Sequence, residues 1–203
     1  MKISLTSKGF GQINPNFLSH DFVFIIGSQE YPCNKIQADF LSPKVANMHQ
    51  VDPFISCFLI GSDDNSLKGD FSAFMDYMKT GEIRIHPKQF RFYYQVSKIL
   101  GNSELSNELM RIITEEHRNK EQLSSDEIIR HLIILDQFED YNNDFIDFAA
   151  SHFHELSVKL IEAQLSFLMI QAIISNQSLS LESESQLLSF ILAFQNVFSY
   201  EET

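Results

Sequence analysis

The stretch YPCNKIQADFLSPKV, Tyr31–Val45, decides how the first half of the chain folds. It continues from HDFVFIIG, His20–Gly27, a run rich in β-branched and aromatic residues that ends in Gly27-Ser28. Such residues fit a pleated, half-buried surface and Gly-Ser suits a tight turn, so HDFVFIIG and QEYPC are expected to pair as a hairpin. After Cys33 the pattern becomes helical. Asn34 stands where an N-cap belongs, and Gln37, three residues on, supplies the partner of a capping box. Ile36 and Phe40 lie one turn apart on one helix face. Ser42-Pro43 ends that helix, because a proline disfavours helical geometry in the residue before it, and Pro43 can open a second short helix, PKVANM.

Downstream, PFISCFLIG, Pro53–Gly61, reads as another strand, closed by the turn-rich GSDDNS. FSAFMDYM puts Phe71, Phe74, Met75 and Met78 on one helix face, with Gly81 placed to end the helix in a left-handed conformation. EIRI is a brief strand, PKQFRFYYQVSKIL a helix opened by Pro87 and closed by Gly101, and ELSNELMRIITEEH a further amphipathic helix. From about Ser124 the strand signals stop. SSDEIIRHLIILDQF, capped by Ser124 or Ser125, DYNNDFIDFAASHFHEL, VKLIEAQLSFLMIQAII and SESQLLSFILAFQNVF are expected as helices. The sequence therefore predicts an α+β domain followed by an all-helical one, divided within the charged segment RNKEQLSS, Arg118–Ser125.

Composition limits the function classes. The net charge is −12, which argues against nucleic acid, where binding relies on Lys and Arg, and against anionic membrane surfaces. No apolar run approaches the ~20 residues of a membrane helix, and MKISLTSKGFGQINPNF lacks the apolar core of a secretory signal. Two cysteines in 203 residues suggest a reducing compartment, so a cytoplasmic location is expected, with the nucleus as alternative.

Candidate chemistry is sparse. Cys33 at a helix start beside Lys35 could be an activated thiol, the requirement being a lowered pKa. The alternative is packing, and no signature links Cys33 to a His or to Cys57. His152 and His154 could suggest zinc, but two residues apart on a helix they point about 200° apart and cannot share one ion. Glu115, Glu116, His117, Lys120 and Glu121 have the spacing of a solvated charged face with i,i+4 pairs rather than of an acid–base site. There is no phosphate loop, dinucleotide glycine pattern or nucleophile elbow. No cofactor or metal is expected, and the chain is expected not to be an enzyme.

The order strand, strand, helix pair, strand, helix, strand, helix, helix resembles the BTB/POZ domain. HDFVFIIG is similar to that family's Asp-Val strand, with Asp21 and Phe22 in those places, and YPCNKIQADFLSP to its second strand and first helix, ending in Ser-Pro. FSAFMDYMKTGEIRI resembles the helix that usually ends Tyr-Thr-Gly, and YYQVSKILGNSEL the Leu-Leu-x-Ala-Ala-x-x-Leu helix. Asn34 replaces a usual His, Lys79 a usual Tyr, and Gln95-Val96-Ser97 an alanine-rich step. Residues 124–203 resemble, more weakly, the BACK helical domain of Kelch-type adaptors, which normally has several more helices. The resemblance implies an N-terminal segment 1–18, a BTB/POZ domain 19–120 and a BACK-like domain 124–203.

It also implies a function. The family dimerises through its first helix and N-terminal segment, making Ile36, Phe40 and the KISL strand candidates for a homodimer interface; apolar residues there could equally be core. Asp21 and Lys35 match positions lining a charged pocket at the dimer seam of some members, or form only a solvated local contact. Many BTB–BACK proteins bridge a target protein, here unknown, to a cullin-type ubiquitin-ligase scaffold, and members that do so often carry a hydrophobic-x-Glu motif in the loop before the third strand. Here NMHQVDP offers Met48, His49 and Gln50, with Gln in place of Glu. The expectation is an adaptor that recruits a target to such a ligase. The alternatives are a structural dimerisation scaffold without ligase association and, last, a thiol enzyme using Cys33.

Overall fold

The structure is a computed structural model that describes residues 2–4, 19–61, 67, 69–116, 123–141 and 143–198, the side chains of 2–4, 113–116 and 196–198 excepted. It is an α+β protein whose chain divides into two compact units, residues 1–111 and 112–203. The division falls within a helix, Ser103–Glu116; most of Arg118–Ser125 lies outside the described residues. Among the described residues no helix is long and apolar enough to cross a membrane.

In the first unit, β2 (Phe22–Ile26) and β3 (Gln29–Cys33) form the expected antiparallel hairpin, with Phe22 opposite Cys33 and Ile26 opposite Gln29. Gly27 at φ +55° makes the two-residue turn, a conformation that costs glycine little. Alternate residues of β2, Phe22, Phe24 and Ile26, are buried, as a strand with one core face requires. β4 pairs parallel to β2 in a sheet ordered β3-β2-β4, but spans only Cys57–Leu59 rather than the predicted Pro53–Gly61. The reason lies at Asp52: its Oδ1 accepts the Phe54 N–H and its carbonyl the Ile55 N–H, so the backbone is turning where the strand was expected. β1 (Lys2–Ser4) pairs antiparallel with β5 (Glu82–Arg84).

Between the strands run α1 (Lys35–Leu41), α2 (Pro43–Val51), α3 (Ser72–Thr80), a 3-10 turn (Pro87–Gln89), α4 (Phe90–Ile99) and α5 (Ser103–Glu116). The capping box of α1 forms as read: Asn34 accepts the Ile36 N–H at 2.9 Å, and Gln37 accepts the Asn34 N–H at 3.2 Å. Ser42 ends α1 and caps α2, Pro43 is the first residue of α2, and α2 runs three residues beyond the predicted Met48. Gly81 closes α3 at φ +71°. Phe71, Phe74 and Met78 are buried as the periodicity indicated, but Met75 is half-exposed and Tyr77 is buried instead. The abundant phenylalanines pack ring to ring: Phe71 lies 5.4 Å from Phe24 and 4.9 Å from Phe74, and Phe74 lies 5.5 Å from Tyr93. Such pairs are worth about 0.5–1.5 kcal/mol beyond the area they bury.

The second unit is helical: α6 (Ser125–Gln137), α7 (Asp144–Ser151), α8 (Phe153–Glu162), α9 (Phe167–Ile174) and α10 (Glu184–Phe198). Where two helices were predicted between Asp140 and Ile174 there are three. His152 breaks the first, its Nδ1 and the Ser151 Oγ both turned onto the Phe148 carbonyl, so side chains take the place of the helical ladder. α8 then runs unbroken across Ser157, where one predicted helix ended and the next was to begin, because Phe153, Leu156 and Leu160 share the buried face. It ends at Glu162, the chain turns away at Gln164, φ +55°, and Ser166 caps α9 through the Met169 N–H while donating its own N–H to Asp136 at 2.7 Å. Leu132, Phe145, Ala149, Phe153, Met169 and Phe190 lie in its core.

Candidate protein interaction site

In the first unit, α1 begins against the end of the strand segment. Asp21 Oδ1 accepts the Lys35 backbone N–H at 2.8 Å, and its Oδ2 accepts from Ser19 Oγ. Asp21 is thus a second cap of α1, complementing the partial positive charge of the helix N-terminus. The Lys35 ammonium does not pair with Asp21; it donates to the Pro53 carbonyl at 2.7 Å. The two predicted seam residues are close, but through a backbone cap rather than a salt bridge.

That lysine bond ties the first turn of α1 to the connection between α2 and β4. Two further contacts hold this connection: the Asp52–Phe54 turn, and the His49 Nε2 at 3.0 Å from the Ile55 carbonyl. His49 Nδ1 meets Asp39 Oδ1, and the ring stands edge-on to Phe22 at 5.2 Å. Both ring nitrogens face oxygen acceptors, so His49 clamps α1, α2 and the connection together and is not presented to a partner. Met48, His49 and Gln50 belong to α2, not to the loop expected from the sequence. Met48 is half-buried and Gln50 exposed.

What the connection presents instead is apolar. Val51 and Phe54 are each 88% exposed, and Ile36, on the α1 turn that Lys35 joins to Pro53, is 57% exposed. Leaving large apolar side chains in water forgoes about 1.5–3 kcal/mol each, and grouped exposed apolar residues mark interaction surfaces. Phe40 is half-buried and stacks on Tyr77 at 5.8 Å, so it belongs at least in part to the core. The sequence reading missed Val51 and Phe54. The signal was present in VDPF, where Asp-Pro makes a turn and leaves the following Phe outside the strand.

Cys33 is 2% exposed and its thiol is pushed up to about 12, first by burial and then by the Asp21 carboxylate. That is the opposite of the lowered pKa a nucleophilic thiol needs. Cys57 is exposed and both cysteines are free thiols. His152 is half-buried at the α7–α8 joint. His154 lies in α8 with Nε2 3.3 Å from Glu155 and a buried Nδ1 that has no hydrogen-bond partner. Among the described residues no three His, Cys, Asp or Glu side chains are placed to hold a metal ion. Of the predicted charged cluster, His117, Lys120 and Glu121 lie outside the described residues, as do the side chains of Glu115 and Glu116.

No family model matches the chain, and no curated protein matches it significantly.

Proposed function

We propose that this chain is a non-enzymatic BTB/POZ-like adaptor, with residues 19–120 as a homodimerising domain and residues 124–203 as a BACK-like helical domain. Support for the first domain comes from the element order, hairpin, helix pair, parallel third strand, then α3, β5, α4 and α5. The observation that carries a binding role is the trio Ile36, Val51 and Phe54, which the Lys35–Pro53, Asp52–Phe54 and His49–Ile55 hydrogen bonds hold out in water. A surface fixed in this way loses little conformational entropy on binding. In the adaptor reading Ile36 faces a second copy of the chain, and the apolar knob of Val51 and Phe54 enters a pocket on a cullin-type scaffold.

A second reading, a structural dimerisation scaffold without ligase association, is favoured by one observation. The amide of Gln50 stands where ligase-binding members of the resembled family often carry a carboxylate, and it sits on α2 rather than in the loop. Calorimetry of the full chain against a cullin N-terminal fragment separates the two. The ligase reading expects micromolar binding, weakened at least tenfold by Phe54→Ala, left within a few-fold by Met48→Ala, and strengthened by Gln50→Glu, since charge-assisted hydrogen bonds are roughly twice as strong as neutral ones. No heat with either the wild type or Gln50→Glu removes the ligase and leaves the scaffold.

A further inference from the structure

Charge is unevenly divided along the chain. Residues 124–203 contain 13 Asp and Glu but only two Lys and Arg, while residues 1–123 balance 14 against 13. Both cations of the later segment are engaged at the start of α6. Lys159 donates to the Asp126 carboxylate, and Arg130 Nε to the Asp126 carbonyl at 3.3 Å. The rest of the segment, residues 131–158 and 160–203, contains no Lys or Arg at all.

A cleft of about 600 Å³ opens in this acidic unit along α7 and α9 and the turn that follows α9. Its apolar part is Ile146, Ala172 and the exposed Leu168, and its polar part includes Asn143, Gln171 and Asp147. Asp147 accepts from Asn176 Nδ2 at 2.7 Å, which fixes the turn beyond α9 as one wall. The Asn143 amide is engaged in the wall itself, its Oδ1 accepting the Phe145 N–H at 3.0 Å and its Nδ2 donating to Asp140 at 2.9 Å. The exposed Gln171 amide carries both a donor and an acceptor, the pairing a peptide backbone presents. Leu168 and Ala172 offer a contact for one aliphatic side chain. Its lining residues include the carboxylate of Asp147, the Asp140 carboxylate is bonded to Asn143, and none of them is cationic. With 13 acidic residues against two basic ones in residues 124–203, the segment's field attracts positive partners and repels anionic ones.

We propose that this cleft binds a basic peptide segment of a partner protein, with one aliphatic residue seated against Leu168, Ile146 and Ala172 and flanking Lys or Arg side chains drawn to Asp147, Asp140 and the acidic segment that carries them. The proposal lies within the second unit and stands whether or not the first unit dimerises. The test is fluorescence anisotropy on the full chain with a labelled nine-residue peptide carrying a central Leu between Lys and Arg residues. Saturable binding is expected. Replacing the central Leu by Ser, or all the basic residues by Gln, weakens it at least tenfold, and raising salt from about 50 to about 300 mM weakens the parent peptide. Leu168→Asp and Asp147→Lys, both at exposed positions, each cost at least tenfold with an unchanged far-ultraviolet spectrum. Absence of saturable binding overturns the proposal. So does equal binding of the Leu and Ser peptides, which would be diffuse charge attraction only, or an unaltered affinity of Leu168→Asp.

Discussion

Cys33 shows how much one position can carry. Its side chain is shut between the β2–β3 hairpin and the start of α1, so ionising it means placing a thiolate in an apolar site beside the Asp21 carboxylate. The folded state therefore holds the thiol proton more tightly than the unfolded chain does. A raised folded value contributes stability that is present below the ordinary thiol value, near 9, and is lost as pH rises towards about 12. The expected outcome is an unfolding free energy that falls between about pH 9 and 11, by up to about 1.4 kcal/mol per pH unit from this group. Tyr77, also pushed up to about 12 by burial and then by Glu104, adds to the fall above about pH 10. Denaturant titrations of wild type and Cys33→Ala should differ in slope over that window, and parallel curves would show that the thiol does not contribute. In a native thiol titration at pH 8, Cys57 should label fast and Cys33 only on unfolding. The burial of Cys33 was legible in the sequence, since it sits at a strand end before a capped helix. The role of His49 was not, because its two acceptors, Asp39 and Ile55, are brought to it only by the fold.

Among the elements, those read correctly carry their instructions locally. Asn34 with Gln37, Ser42-Pro43, Gly27-Ser28 and Gly81 each act on backbone within a turn of themselves. The boundaries that were misread depend on partners far along the chain. α8 continues past Leu156 because its buried face continues, and α9 begins where Ser166 meets Asp136. The joint between α1 and α2 shows a local signal with a distant use. Ser42 caps α2 through the Val45 N–H at 3.1 Å and also donates Oγ to the Leu100 carbonyl at 2.8 Å. Reciprocally, Asn102 caps α5 through the Leu105 N–H and donates Nδ2 to the Leu41 carbonyl, 3.0 Å in each case. Both side chains are buried, so removing either strands polar groups away from water. Ser42→Ala and Asn102→Ala are each expected to cost roughly 1–3 kcal/mol, lowering the melting temperature by several degrees. Ser103→Ala, one residue from Asn102 and exposed, should lie within about 0.5 kcal/mol of wild type. Equal effects of all three would mean that the two joints are not locked as described.

For the whole molecule, the sequence pattern anticipated an α+β unit followed by a helical one, because the period of the apolar residues changes from mixed to purely helical near Ser124. It did not anticipate where the chain would interact, since exposure is a property of packing and not of residue type. Phe54 and Phe58, four residues apart, illustrate this: one is 88% exposed and the other 8%. The proposed dimer would bring two copies of this chain together through the α1 face that carries Ile36. Ile36 is the residue to change, since Phe40 stacks on Tyr77 and an aspartate there would disturb the core as well. Multi-angle light scattering of the full chain at tens of micromolar, with the wild type and Ile36→Asp compared, tests it most directly. The expected result is twice the chain mass of 23.5 kDa for the wild type and 23.5 kDa for Ile36→Asp, with identical circular dichroism spectra. A wild type that runs at 23.5 kDa, or a dimer that survives Ile36→Asp unchanged, would contradict the account.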